Sequence, residues 1–191
     1  MKIKIWLLKL TQHMIDHTLC IGSDVANCFE AAHKNSDFSL LFQTSVSIPD
    51  VRPVNNELQV KNSFVYVGQL SDRKNISKII ELAGYLSSHG YKFEFIGRGP
   101  RDKDVKQLAK KCSLVNFSGF VNDKSTLFKK LDNHDFLILL SNVEPWGLVV
   151  NEALARGCIP IVSERCGSKD LLPVDQIVKH DDQIISNTLK F

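Results

Sequence analysis

Phe64-Val65-Tyr66-Val67-Gly68, the amphipathic run from Lys74 to Ser87, and Tyr91-Lys92-Phe93-Glu94-Phe95-Ile96-Gly97 decide the fold of this chain. A short β-rich run closed by glycine gives way to a segment with Ile76, Ile79, Ile80, Leu82, Ala83 and Leu86 along one helical face. His89-Gly90 marks the end of that helix, and a second β-rich run follows. Outward from this strand–helix–strand unit the pattern repeats. Asp102 to Cys112 predicts a helix, Val115 to Phe120 a short strand and Ser125 to Leu131 a short helix. Phe136-Leu137-Ile138-Leu139-Leu140 is apolar at every position, as a strand covered on both faces should be. Gly147 to Arg156 predicts a helix stopped by Gly157, with Ile159-Pro160-Ile161-Val162 as the next strand. Successive units of this kind pack right-handed, so the expected fold class is α/β with a doubly wound parallel sheet.

The first fifty residues stand outside that series. They predict a helix (Ile3 to Met14), a strand (Leu19 to Gly22), a helix (Ser23 to His33, with Ser23 as its N-cap) and a strand (Phe38 to Phe42). Val46 to Asn56, spaced by Pro49 and Pro53, cannot continue a central strand and reads as a linker. Residues 1–50 are therefore expected to be the terminal piece of one domain with its linker, and 57–191 a nearly complete second domain. Met1 to Leu10 resembles a signal peptide, but Lys9 interrupts it and no small-residue cleavage site follows, so it is read as structure.

Composition excludes several classes. The 191 residues are 43% hydrophobic and 24% charged, with Gly 10 and Pro 6, the balance of a globular chain with a full core. A net charge of +3 does not call for a nucleic acid partner. No apolar run approaches the roughly 20 residues that span a bilayer. Five cysteines, none in C-x-x-C spacing, argue for a reducing compartment and a cytoplasmic protein, with no disulfide framework or zinc site. Cys20 and Cys158 read as buried thiols, and only Cys166, in a predicted loop, has a position open to reactivity. The six histidines are scattered, so no metal is expected.

In a doubly wound sheet the loops after the strands meet at one edge, where ligands bind. Four such loops are unusual. Gly68-Gln69-Leu70-Ser71-Asp72-Arg73-Lys74 places a glycine at a strand end and two cations before the helix. Gly97-Arg98-Gly99-Pro100 sets two glycines around a cation, Gly119-Phe120-Val121 pairs a glycine with an aromatic, and Ser141 to Gly147 opens the helix carrying Glu152. Glycines let backbone approach a ligand, and the helix start at Gly147-Leu148 offers free amides to an anion beside Lys74 and Arg73. That suits a diphosphate. Glu144 and Glu152 flank it, and each carboxylate can accept from vicinal hydroxyls. A diphosphate between two hydroxyl-binding acids describes a nucleoside-diphosphate sugar.

The run from Glu144 to Glu152, with Pro145-Trp146-Gly147 inside it and Gly157-Cys158-Ile159-Pro160 beyond, resembles the Glu-x7-Glu motif of the family-4 retaining glycosyltransferases, enzymes of the two-Rossmann GT-B fold. Val67-Gly68-Gln69-Leu70 with Lys74, Ile96-Gly97-Arg98-Gly99-Pro100 and Phe117-Ser118-Gly119-Phe120-Val121 resemble three further family segments in the same order. The likeness covers residues 60–175, the Rossmann-like donor-binding half. It implies that Glu152 holds ribose hydroxyls and Glu144 sugar hydroxyls near the reacting carbon. It also implies that the amides of Gly147, Leu148 and Val149 with Lys74 hold the diphosphate, and that Phe120-Val121 passes the base. Glu144 and Lys74 take the catalytic roles; Gly68, Gln69, Arg73, Gly97 and Arg98 complete the donor site. No cofactor or metal is implied, since cationic side chains and the helix start take the leaving-group charge.

The resemblance further implies a glycan or lipid-linked acceptor, in polysaccharide, lipopolysaccharide or glycoprotein assembly. Two departures matter. Gln69 stands where the family often has arginine, and residues 1–50 resemble only the end of an acceptor domain, so the chain is expected to need the rest of that domain, or a partner subunit, for turnover. A non-catalytic nucleotide-sugar-binding subunit and a GT-B epimerase or phosphorylase are the alternatives. Trp146 is read as a packing residue, and His134, Asp135 and His180-Asp181-Asp182 as surface polar residues. Lys103, Lys106, Lys110 and Lys111 form a solvated helix face, with peripheral contact at the inner face of a membrane as the minority reading.

Overall fold

The computed structural model describes residues 17–32, 37–43 and 62–179. The helix expected over Ile3 to Met14, the linker at Val46 to Asn56 and His180-Asp181-Asp182 lie outside the described residues. The chain divides into two units, residues 1–44 and 45–191.

The first unit holds β1 (His17–Ile21), α1 (Ser23–Ala32) and β2 (Asp37–Leu41), with the strands parallel and His17 opposite Asp37. Its small core is Cys20, Ala26 and Phe29, and Phe38 packs its ring edge-on against Phe29 at 6.0 Å.

The second unit holds β3 (Ser63–Val67), a 3-10 turn (Asp72–Lys74), α2 (Ile76–Ser88), β4 (Lys92–Ile96), α3 (Asp102–Lys111), β5 (Val115–Gly119), α4 (Lys124–Leu131), β6 (Phe136–Leu139), α5 (Leu148–Ala155) and β7 (Ile159–Ser163), then two 3-10 turns and β8 (Ile177–Val178). The six strands lie in the order β5-β4-β3-β6-β7-β8 and every neighbouring pair is parallel. Counted from β3, that is the 3-2-1-4-5-6 order of a doubly wound sheet, which reverses direction between β3 and β6. The central strands are apolar throughout because both of their faces are covered: Phe64, Val65, Tyr66, Leu137, Ile138 and Leu139 are all buried. Phe64 stacks on Phe93 and Phe136, at 6.4 and 5.0 Å, binding the three middle strands through one aromatic row. α2 buries Ile76, Ile79, Leu82, Ala83 and Leu86, and its last turn closes with Tyr91 N donating to Leu86 O and Gly90 N to Ser87 O.

The sequence reading is corrected at three places. Lys74 ends a 3-10 turn rather than opening α2, because Asn75 takes a left-handed conformation (φ 56°) between them. α4 starts at Lys124, with Asp123 as its N-cap accepting from Thr126 N. His134 and Asp135 are not surface residues. The chain between α4 and β6 turns under the sheet, where Asp135 accepts from both Ser63 N and Ser63 Oγ at 3.0 Å and so joins the starts of β3 and β6. His134 bonds Lys130 O through Nδ1 at 2.8 Å, and its Nε2 lies 3.4 Å from buried Glu94. At the same edge Arg156, at the end of α5, grips Asp132 with two bonds of 2.7 and 2.6 Å.

Candidate functional site

The reversal in strand order leaves a crevice outside the carboxyl ends of β3 and β6, and the loops that follow these strands are stitched together across it. Asn142 N donates to Arg73 O (2.9 Å) and Asn142 Nδ2 to Asp72 O (2.7 Å). In the middle of that seam Lys74 Nζ is ion-paired with Glu144, and both side chains are about nine-tenths buried. The two residues assigned catalytic roles from the sequence therefore touch, although 70 positions separate them. Burial and the neighbouring Arg73 guanidinium push the Lys74 ammonium down to about 8, partly offset by Cys166.

Gly147 sits directly behind Glu144 as the N-cap of α5, at φ 92°. A Cβ there would lie 2.9 Å from Leu139 Cδ2, 3.2 Å from Glu144 Cγ and 3.3 Å from Cys166 Sγ, so only glycine fits. α-Helix geometry leaves the first amides of α5, at Leu148 and Val149, without an intrahelical acceptor, directly after the loop that carries Glu144. Glu144 is held from behind, its N donating to Arg165 O and its O accepting from Gly167 N. Cys166 lies under the same loop, fully buried, its Sγ 3.1 Å from Trp146 O; burial pushes its thiol up, so it is a packing residue and not a nucleophile. Trp146 is buried as well and donates from Nε1 to Asn151.

A pocket of ≈ 630 Å³ opens over the ends of β3, β4 and β5, lined by Gly68, Gln69, Gly97, Arg98, Phe120 and Val121 together with Val67, Ile96, Gly99, Asp102 and Leu127. Six of the residues singled out from the sequence thus share one cavity. Its floor is close-packed backbone. Gly97 has φ 145°, and a Cβ there would collide with the carbonyl oxygen of Gly68. Tyr66, buried in the core, donates from its hydroxyl to Gln69 O at 2.7 Å and pins the first turn. Leu70 N reaches Arg98 O, and Asp102 accepts from Gly99 N at 2.7 Å. At the rim the Arg98 guanidinium lies 4.4 Å above the ring of Phe120, which is 54% exposed.

Arg73 does not enter the pocket lining; it is exposed and donates to Val143 O at 3.4 Å, across the mouth of the crevice. Glu152, one turn into α5, is buried, and its partner is Lys124 at the start of α4. Lys124 was missed from the sequence. Its only signal there is position, directly after the Phe120-Val121 loop. Among the described residues no group of three or more His, Cys, Asp or Glu could hold a metal ion, and no helix is long and apolar enough to cross a membrane.

The family model of the glycosyl transferases group 1 matches residues 47–180. The chain belongs to this family. An uncharacterized glycosyltransferase of Methanocaldococcus jannaschii is 31% identical over 122 residues, which are 62% of this chain and 30% of that protein. The group 1 chain thus spans about a third of that relative's length. Among solved structures, WaaG, a glycosyltransferase involved in lipopolysaccharide biosynthesis, superposes with a TM-score of 0.65 at 19% identity, over 90% of this chain and 52% of WaaG. Anabaena HepE, solved in complex with UDP, gives 0.70 at 16% identity, over 95% and 55%. Such neighbours are GT-B glycosyltransferases, so the parallel sheet of this group 1 family chain is a GT-B Rossmann-like layer.

Proposed function

We propose that this chain supplies the donor-binding half of a retaining, family-4-type glycosyltransferase that moves a sugar from a nucleoside diphosphate to a glycan or lipid-linked acceptor. The observation that carries the reading is the buried Lys74–Glu144 pair, set at the topological switch point beside the open amides of α5. The base enters the pocket under Arg98 and Phe120, and its flat face stacks where the guanidinium already does. The ribose hydroxyls reach Glu152, and the diphosphate lies along Lys74 and the start of α5. As the bond from the anomeric carbon to the diphosphate oxygen breaks, its electron pair goes to that oxygen, the acceptor hydroxyl oxygen bonds the anomeric carbon, and the hydroxyl proton passes to the departing diphosphate. The Lys74 ammonium and the Leu148 and Val149 amides stabilise the charge that builds there. Glu144 accepts from hydroxyls of the departing sugar and orients its ring.

Because an ammonium and helix amides supply the positive charge, the reading assigns the leaving group to this chain and needs no metal ion. Neighbours with UDP in their crystals support a nucleotide donor, and the likeness to WaaG, involved in lipopolysaccharide biosynthesis, supports a role in cell-surface glycan assembly. The acceptor side falls to a further domain or a partner subunit. Gln69 supports a second reading, a nucleotide-sugar-binding subunit without turnover of its own, because a neutral amide lines the pocket where the family often carries a charge.

Thermal-shift titration with UDP, GDP and ADP tests the donor site. A nucleotide at about 100 times its dissociation constant adds roughly 2.7 kcal/mol of stability. The expected result is stabilisation by one nucleotide, weakened in Lys74→Ala and Glu152→Ala. Stabilisation by none, or one untouched by both substitutions, would overturn the reading.

A further inference from the structure

We infer that Lys124 is a positioning residue for nucleotide selection: it fixes the orientation of the Glu152 carboxylate and so sets the preference for ribose over deoxyribose. The inference rests on the proposed donor site and deepens it. Three observations carry it.

The first is the asymmetry of the pair. The Lys124 side chain is 57% exposed, yet its ammonium reaches inward onto Oε1 of a carboxylate that is 7% exposed. Ion pairs on the surface contribute little to stability, and ordering a lysine opposes them. What the contact does achieve is local: it gives a buried carboxylate a fixed partner and a single direction. Second, Lys124 passes over a nearer acid. Asp123 adjoins it in the chain, but Asp123 Oδ2 is filled by its own helix, with Ser125 Oγ at 2.6 Å, Thr126 N at 2.8 Å and Thr126 Oγ1 at 2.7 Å. Those bonds hold the Asp123 carboxyl down to about 2 and fix the first turn of α4. Lys124 is thereby aimed away from its own helix, toward α5. Third is the place of Glu152. It lies four residues after Leu148, one turn in from the helix end whose first amides have no intrahelical acceptor.

A carboxylate offers about four lone-pair directions. The ammonium occupies one on Oε1. The second oxygen and the remaining direction are left pointing as a pair, which is the pattern that vicinal 2′- and 3′-hydroxyls require. Without that anchor the Glu152 carboxylate loses the ion pair that sets its orientation toward a diol. No step of the transfer runs through Lys124; it acts on the substrate only by way of Glu152.

The test is a matched titration with UDP and 2′-deoxy-UDP, repeated with the ADP and GDP pairs so that the base need not be assumed. The native protein should prefer the ribonucleotide by about tenfold or more, the effect of one hydrogen bond to a charged group. Lys124→Met should weaken the ribonucleotide by about tenfold and bring the ribose-to-deoxyribose ratio toward one, while Lys124→Arg keeps the ratio. In Glu152→Gln the ratio should collapse too, and adding Lys124→Met to it should cost nothing more. A merely structural role would lower the melting temperature and leave the ratio unchanged. A preserved ratio in Lys124→Met, or tighter ribonucleotide binding by it, would overturn the role of Lys124 and leave the donor site standing. If the native protein binds none of the six nucleotides, the donor-site reading falls and this inference with it. Should Lys124→Met fail to fold, Lys124→Gln carries the same comparison.

Discussion

The depressed ammonium of Lys74 makes a direct prediction for donor affinity against pH. An ordinary lysine stays charged well past pH 9, whereas burial and Arg73 bring this one down to about 8. The diphosphate binds the charged form, so affinity is full below about 8 and falls as pH rises through it. The charged fraction drops to about one tenth one pH unit above that value, so Kd should rise by about tenfold per unit there. Glu144, the ion-pair partner of Lys74, faces it together with Arg73 and Cys166. Burial pushes the Cys166 thiol up, and a terminal phosphate titrates at about pH 6, below the window that Lys74 occupies. Calorimetric titration with the nucleotide that stabilises the chain, at constant ionic strength between pH 7 and 9.5, reads the slope. Lys74→Arg should bind with a flat profile, since a guanidinium does not titrate in that range. Lys74→Ala should bind weakly and be flat as well. A native Kd that holds constant across the window would refute the reasoning, because Lys74 would then either be normally charged or not touch the phosphates.

Three other substitutions have defined outcomes. Gly97→Ala places a Cβ against the carbonyl of Gly68 at a backbone angle that L-residues avoid; it should cost about 3 kcal/mol or more in urea unfolding and abolish nucleotide binding, and a stable, binding variant would refute the close approach. Arg156→Ala removes the two-bond ion pair to the largely buried Asp132 side chain and should cost about 2–4 kcal/mol while leaving nucleotide affinity alone, because the pair lies at the opposite edge of the sheet; a shifted Kd would contradict that placement. Burial pushes the Glu94 carboxyl up, but the hydrogen bonds from Lys130 and Ser118 outweigh it and hold the group below its ordinary value. A carboxyl depressed on folding stabilises the protein above its unfolded pKa of about 4.5 and loses that contribution as pH falls, so Glu94→Gln should be less stable at pH 7 and lose less on acidification, in urea midpoints at pH 7 and pH 4.

What the sequence made legible follows from how far apart the interacting residues lie. β3 and β6 could be read because strands covered on both faces carry unbroken apolar runs, a property of each strand by itself. Lys74, Gly97, Gly147 and Glu144 could be singled out because each lies in the loop after a strand, and in this architecture those loops meet at the same edge. The misreading of Asp135 and the silence of the sequence on Glu94 and Lys124 share a different cause. Asp135 looks like a surface acid beside His134, yet its partner is Ser63, 72 residues away, and only the pairing of β3 with β6 brings the two together. Glu94 alternates with Phe93 and Phe95 as an outward residue would, but β5 and α4 cover that face and deliver Asn116, Ser118 and Lys130 to it. Lys124 is the same case at the site. Nothing in Asp123-Lys124-Ser125-Thr126 distinguishes it from an ordinary first-turn lysine. Its role depends on the Asp123 cap absorbing the local hydroxyls and on α5 presenting a buried carboxylate 28 residues later. Apolar periodicity reports which face of an element is covered, and glycine reports where backbone must pass closely. Neither reports which polar group from another element will fill the space, so the charged residues that position other charged residues are those that only the folded chain reveals.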